Sequence, residues 1–220
     1  MHPGRGARAG PRPRSRVERA APGAMAAACA APERVAGLLR DLGGACWVAA
    51  ANGSQDSVLA GPPAALEDAL ALLRLEGVEV RPLAVSYAAH GPAVAPGLRA
   101  IEAAARQVPW AAPRCGWISS LDGASVQAPP TPAHWRRQTL EPVRFAEALG
   151  ALRARGVEVL LELGPGASLS RLAARALPSA RTLTSAPGEA DPARHLLEVA
   201  ARLWEAGHPV TWERLLADLS

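Results

Sequence analysis

From Gly23 onward the hydrophobic positions of this chain alternate between short apolar runs and helical stripes. Ala24 to Cys29 reads as a strand of small residues. After Pro32, Val35, Leu38, Leu39 and Leu42 recur at i, i+3, i+4 and i+7, the spacing of one helix face, and Gly43-Gly44 stops the pattern. Cys46 to Ala51 is a second strand, Asn52-Gly53 a turn, and Ser57 to Gly61 a third strand that closes a hairpin. Pro62-Pro63 opens a second helix with Leu66, Leu70 and Leu73 on one side and Gly77 at its end. The apolar run Val78 to Val85 is a fourth strand. The order strand, helix, strand, strand, helix, strand is the ferredoxin-like βαββαβ arrangement, predicted for residues 23–86.

Past residue 86 the texture changes to alternating helices and strands. A helix runs from Gly91-Pro92 to about Arg106, with Val94, Leu98, Ile101 and Ala105 on its stripe. Arg114 to Ser120 is a strand, His134 to Leu140 a short amphipathic helix ended by Pro142, and Val143 to Arg155 a helix. Val157 to Leu163 reads as a buried strand, followed by Gly164-Pro-Gly166 and a helix over Ser168 to Leu177. A last helix spans Pro192 to Ala206. This pattern predicts a layered α/β lobe with a mostly parallel sheet. The expected organisation is a disordered leader (1–22), a small ferredoxin-like lobe (23–86), part of a larger α/β lobe (87–190) and a helical segment (191–220). The fold class is α/β (α+β).

Charge and cysteine content narrow the function classes. The formal net charge is +4, but residues 1–19 hold six arginines and one glutamate, so the remainder is near −1. The chain has no lysine, and its basic residues outside the leader form no face, which argues against a nucleic-acid surface. Three cysteines without a Cys-x-x-Cys pair fit neither a disulfide framework nor a zinc site, and they suit a reduced cytoplasm. No run reaches the ~18 apolar residues of a membrane span. No metal site is predicted.

Candidate chemistry centres on His90. The apolar run ends abruptly in Tyr87-Ala-Ala-His90, followed by Gly91-Pro92. A strand that delivers a histidine to a turn can hold an imidazole over a cleft. The same pattern also fits a half-exposed loop histidine with no role. His2, His134, His195 and His208 read as tail, surface or capping residues.

Six stretches in sequence carry a resemblance. They are Gly23-Ala-Met-Ala-Ala, Ala51-Asn-Gly with Val58-Leu-Ala-Gly61, Val85-Ser-Tyr-Ala-Ala-His90, His134-Trp with Leu140-Glu-Pro-Val-Arg-Phe145, Leu161-Glu-Leu-Gly-Pro-Gly166, and Arg202-Leu-Trp to Trp212. Together they resemble the acyltransferase domain of type I polyketide synthases and the malonyl-CoA:acyl carrier protein transacylases, over about Gly23 to Leu215. The resemblance implies a serine nucleophile in a Gly-x-Ser-x-Gly elbow, a histidine base, an acyl-CoA substrate and a carrier-protein phosphopantetheine thiol as acceptor. No bound cofactor is implied. His90 matches the base, and Gln138 matches the residue whose backbone carbonyl orients that ring. By resemblance, Tyr87 and Ala89 lie where malonyl and methylmalonyl users differ, Tyr87 being of the methylmalonyl kind. The small Ala88 and Ala89 are expected to leave room beside the histidine. Asn52 is expected to shape the turn beneath the site, Arg14 to pair with the malonyl carboxylate, and Arg144 to pair with a structural carboxylate.

The sequence departs from the family at its centre. No Gly-x-Ser-x-Gly occurs in the 220 residues. The elbow is therefore expected on an upstream segment, which becomes a required partner alongside acyl-CoA and the acyl carrier protein. The chain alone is expected to be inactive and to expose a sheet edge and apolar patches. The alternative is a non-catalytic remnant or protein-interaction module with a ferredoxin-like fold.

Overall fold

A computed structural model describes residues 21–186, 188 and 191–217; these fall into two compact units, one comprising the described residues up to Gly116 with Val126–Val143, the other Trp117–Ser125 with the described residues from Arg144 onward. Arg14 lies outside the described residues.

In the first unit, β1 (Ala24–Ala28), α1 (Pro32–Asp41), β2 (Trp47–Gly53), β3 (Asp56–Gly61), α2 (Pro63–Leu75) and β4 (Val80–Pro82) follow the predicted order. The sheet runs β4-β1-β3-β2, the ferredoxin-like arrangement. A two-residue strand β7 (Val143–Arg144), where the sequence of this unit ends, is added beside β2. Strand pleating divides the side chains between two faces. Ala26, Ala28 and Leu59 point to the face covered by the helices, where they meet Val35, Leu39, Leu66, Leu70 and Leu73. Met25, Ala49 and Ala60 point to the other face, where Trp47, Tyr87, Ala88 and Ala89 cover them. The loop that carries His90 is thus the lid on the sheet face the helices leave open.

Two details of this sheet depart from the sequence reading. The fourth strand shrinks from Val78–Val85 to three residues, because after Leu83 the chain turns back on itself instead of following β1. Leu83 and Val85 are instead held by single bonds, Leu83 N–H to Met25 O at 2.9 Å and Val85 N–H to Leu83 O at 2.8 Å. Asn52-Gly53 is not the hairpin turn. Both residues belong to β2, Ser54-Gln55 makes the turn, and Asn52 is the extra residue at a register shift between Ala51 and Gly53.

After His90 the chain makes a 3-10 turn (Pro92–Gly97) and enters α3 (Leu98–Arg106). Helix α4 (Pro132–Leu140), capped by the Thr131 side chain accepting from His134 N–H, packs on α3. Arg136 meets Glu102 at 3.4 Å and Trp110 meets Trp135 at a ring separation of 4.9 Å. Ala21, Val94 and Leu98 form a small core against Leu140.

The second unit holds β5 (Trp117–Ile118), which pairs with β6 (Ser125–Val126) where the sequence passes back to the first unit, then α5 (Phe145–Ala154), β8 (Val159–Pro165), α6 (Ser168–Ala176), β9 (Arg181–Ala186), α7 (Pro192–Glu205) and α8 (Trp212–Ala217). The parallel pairing expected here is present between β8 and β9. Leu149, Ala173 and Leu177 form its core with Phe145, Leu152 and Leu160. Gly164-Pro-Gly166 turns strand into helix, with both glycines at positive φ. Glu162 caps the helix that follows, accepting from Leu169 N–H at 3.3 Å and Ser170 N–H at 2.8 Å. Burial raises its pKa, but these amides, the Ser170 hydroxyl and Arg171 outweigh that and hold the carboxyl below its usual value. Arg144 pairs with Glu147 at 3.4 Å on the surface, the carboxylate pairing expected of it. His195 does more than cap: its Nε2 lies 2.7 Å from Thr184 O and ties α7 to β9.

Candidate active site

The loop before His90 is stitched to the strand that opens the sheet. Ala88 N–H donates to Ala21 O at 2.9 Å, and Pro22 and Tyr87 form an isolated antiparallel bridge. Ala88 is fully buried against Gly23, where an added Cβ would come within 2.5 Å of the Ala88 methyl. The small size of Ala88 therefore serves this packing, not a space beside the histidine as the sequence suggested. Tyr87 and Ala89 are half-buried and pack on the open face of the sheet.

His90 itself is half-buried, at φ +53°, the left-handed region that few residues other than glycine adopt. In this conformation its Nδ1 lies 3.2 Å from the carbonyl oxygen of Glu141. The Gln138 carbonyl also acts on the ring. Both carbonyls belong to the C-terminal end of α4. A helix ends with carbonyls that have no N–H four residues on. Glu141 N–H bonds Arg137 O at 2.8 Å, but the next donor would be residue 142, a proline. The proline thus leaves the Gln138 carbonyl for the imidazole. A carbonyl neighbour requires Nδ1 to carry the hydrogen, so the neutral ring keeps its lone pair on Nε2. Burial pushes the His90 pKa below its ordinary value, and the carbonyls of Glu141 and Gln138, which favour the protonated ring, oppose this.

The structure therefore brings His90 and Gln138 together and places Tyr87 and Ala89 in the same loop. It does not bring Asn52 to them. The Ala24, Gly61 and Trp47 ends of the first three strands lie at the His90 loop, whereas Asn52 lies beside Ser57 and Ala28 at the opposite end of the sheet. Sequence reasoning missed Glu141, which acts through its backbone; the signal available was Pro142, one residue after it. It also missed Trp47, whose Nε1 donates to Ala89 O at 3.0 Å. Two open grooves of about 670 and 750 Å³ lie in the second unit and hold none of these residues. In the first of them, Arg194 is paired with Glu198 at 3.0 Å and the Asp191 carboxylate caps α7. Among the described residues no cluster of His, Cys, Asp or Glu could hold a metal ion, and no helix is long and apolar enough to cross a membrane.

A ferredoxin-like sheet presenting a half-buried, carbonyl-anchored imidazole, followed in sequence by a parallel α/β unit, places the chain among α/β proteins. Comparison with known proteins identifies the family. The family described as "Acyl transferase domain" matches residues 10–193. Polyketide synthase GfsA of Streptomyces halstedii is 32% identical over 200 residues, which are 89% of this chain and 3% of that protein. The acyltransferase domain from the second module of the salinomycin polyketide synthase matches with a TM-score of 0.81 and 33% identity, over 87% of this chain and 46% of the other. The malonyl-CoA:acyl carrier protein transacylase of Xanthomonas oryzae pv. oryzae matches with a TM-score of 0.72 and 28% identity, over 81% of this chain and 58% of the other. The chain belongs to the acyl transferase family of polyketide synthase acyltransferase domains and malonyl-CoA:acyl carrier protein transacylases, and it spans about half the length of the solved domains it matches.

Proposed function

We propose that this chain is the base-bearing part of an acyltransferase. It moves malonyl or an α-substituted malonyl group from coenzyme A to the phosphopantetheine thiol of an acyl carrier protein, in a cytoplasmic setting. The observation that carries this reading is the Nδ1 of His90 against the Glu141 carbonyl at 3.2 Å, with the Gln138 carbonyl behind it. A hydroxyl is a poor nucleophile until a base lies within hydrogen-bond reach. His90 Nε2 takes the serine proton as the serine oxygen attacks the thioester, and gives it to the departing coenzyme A thiolate. The carrier thiol then loses its proton to the same nitrogen and attacks the acyl-serine, and the serine oxygen recovers the proton. Gln138 and Glu141 orient the ring throughout.

The 220 residues contain no Gly-x-Ser-x-Gly. The nucleophile therefore comes from a separate stretch of polypeptide, and this chain by itself forms no acyl-enzyme. Tyr87 and Ala89 flank the acyl site and favour a branched extender, a preference worth about 1–3 kcal/mol per methyl group. Arg14 is assigned to the malonyl carboxylate by resemblance alone. Asn52 is assigned to shaping β2 rather than to contact with the acyl group.

The test is reconstitution with the nucleophile-bearing half of a related acyltransferase. Transfer of labelled malonyl or methylmalonyl from coenzyme A to a carrier protein should appear, and His90→Ala should reduce it by roughly 10²–10⁴-fold. Transfer indifferent to His90→Ala, or none from a folded and associated pair, would replace this reading with that of a non-catalytic interaction module.

A further inference from the structure

Trp47 stands at the first position of β2, on the sheet face that the His90 loop covers. Its indole touches the backbone on both sides of the histidine. On one side Nε1 donates to the Ala89 carbonyl at 3.0 Å and fixes the peptide that leads into His90. On the other side Gly91 lies directly against the ring: an added Cβ would fall 2.0 Å from Nε1 and 2.2 Å from Cε2. No side chain fits there while the indole is in place. Gly91 is itself extended at φ 179°, so the space taken by Trp47, not backbone freedom, calls for glycine. Between these two peptides His90 takes φ +53°, and it is the only non-glycine residue at positive φ among those described. Such a conformation persists only where the surroundings impose it.

We propose that Trp47 is a positioning residue for His90: its N–H on the Ala89 carbonyl and its ring against Gly91 impose the left-handed turn that aims Nδ1 at the Glu141 carbonyl. The catalytic consequence rests on the reading of His90 as the base; the conformational statement stands without it. A histidine in an ordinary extended or helical conformation would carry its ring in a different direction and forfeit the carbonyl that selects the Nδ1–H tautomer.

The experiment uses the full chain with ¹⁵N-labelled imidazoles, His90→Ala serving to assign the ring signals. The wild-type chain should show His90 as the Nδ1–H tautomer. Trp47→Phe keeps a ring in the core but removes the donor; it should leave the circular dichroism unchanged and give a mixture of His90 tautomers. In the reconstituted transfer assay kcat should fall roughly tenfold with KM little changed, the size expected for one lost hydrogen bond that holds a base in place. Gly91→Ala should give the same spectroscopic signature. The double variant Trp47→Ala/Gly91→Ala should be no worse than Trp47→Ala, because the new methyl then has room. Unchanged tautomer signals in Trp47→Phe, strict additivity in the double variant, or unfolding of both single variants would overturn the proposal. Failure of the base reading has a different signature, namely transfer that survives His90→Ala whatever the Trp47 variants do to the ring.

Discussion

His90 has to be neutral to accept a proton, and its surroundings favour that state. Burial, the larger influence, disfavours the imidazolium; the Glu141 and Gln138 carbonyls recover part of the loss. The unfolded chain takes up the histidine proton near pH ~6.5. The folded chain takes it up only at lower pH. The unfolded state therefore binds more protons between the two values, and folding stability is lost as the pH falls from about 6.5 through the folded pKa. Unfolding measured by denaturant should show wild type losing stability relative to His90→Ala over this window, and the acid limb of transfer should lie below the ordinary histidine value. A His90 titration at or above ~6.5 would contradict both statements.

At the scale of elements, the site depends on how α4 ends. Pro142→Ala would supply the N–H that the Gln138 carbonyl lacks within the helix, and this N–H would compete with the imidazole. Since that carbonyl raises the His90 pKa, the titration should move further down, and transfer should fall several-fold. The unfolded chain would also gain freedom, costing about 0.4–1 kcal/mol in thermal unfolding. An unmoved His90 titration would show that Glu141 alone holds the ring. This dependence on an element's end explains what the sequence made legible. The stripes Val35–Leu39 and Leu66–Leu70–Leu73 lie on the buried faces of α1 and α2, because a helix that packs by one face must repeat its apolar residues. Strands β6 and β7 are not legible, since two residues show no period; β5 is only two residues of the strand expected over Arg114 to Ser120; and β4 is shorter than its apolar run because the chain turns away from β1 after Leu83. His90 was legible because its chemistry is in its side chain. Glu141 was not, since a backbone carbonyl has no residue type, and Trp47 was not, since its partner Ala89 offers only a peptide oxygen.

At the scale of the whole molecule, the second unit raises a question of cover. Parallel strands are normally buried on both faces and flanked by further strands. Here β8 pairs with β9 alone among the described residues, and two strands are marginal as a sheet. Leu161 is 36% exposed and Leu163 78% exposed on β8, and Leu169 at the start of α6 is also exposed. Leucines on an unpaired strand edge favour pairing between chains, since every peptide along that edge offers hydrogen bonds to any strand that meets it. The chain alone should therefore associate as its concentration rises. Leu163→Lys places a charge on the most exposed of these positions, the device by which natural sheet edges resist such pairing. Sedimentation velocity should show the variant shifted toward monomer while its helical circular dichroism stays unchanged. A wild-type chain that remains monomeric at high concentration, or a Leu163→Lys variant that associates as strongly as wild type, would contradict this account of the β8 edge.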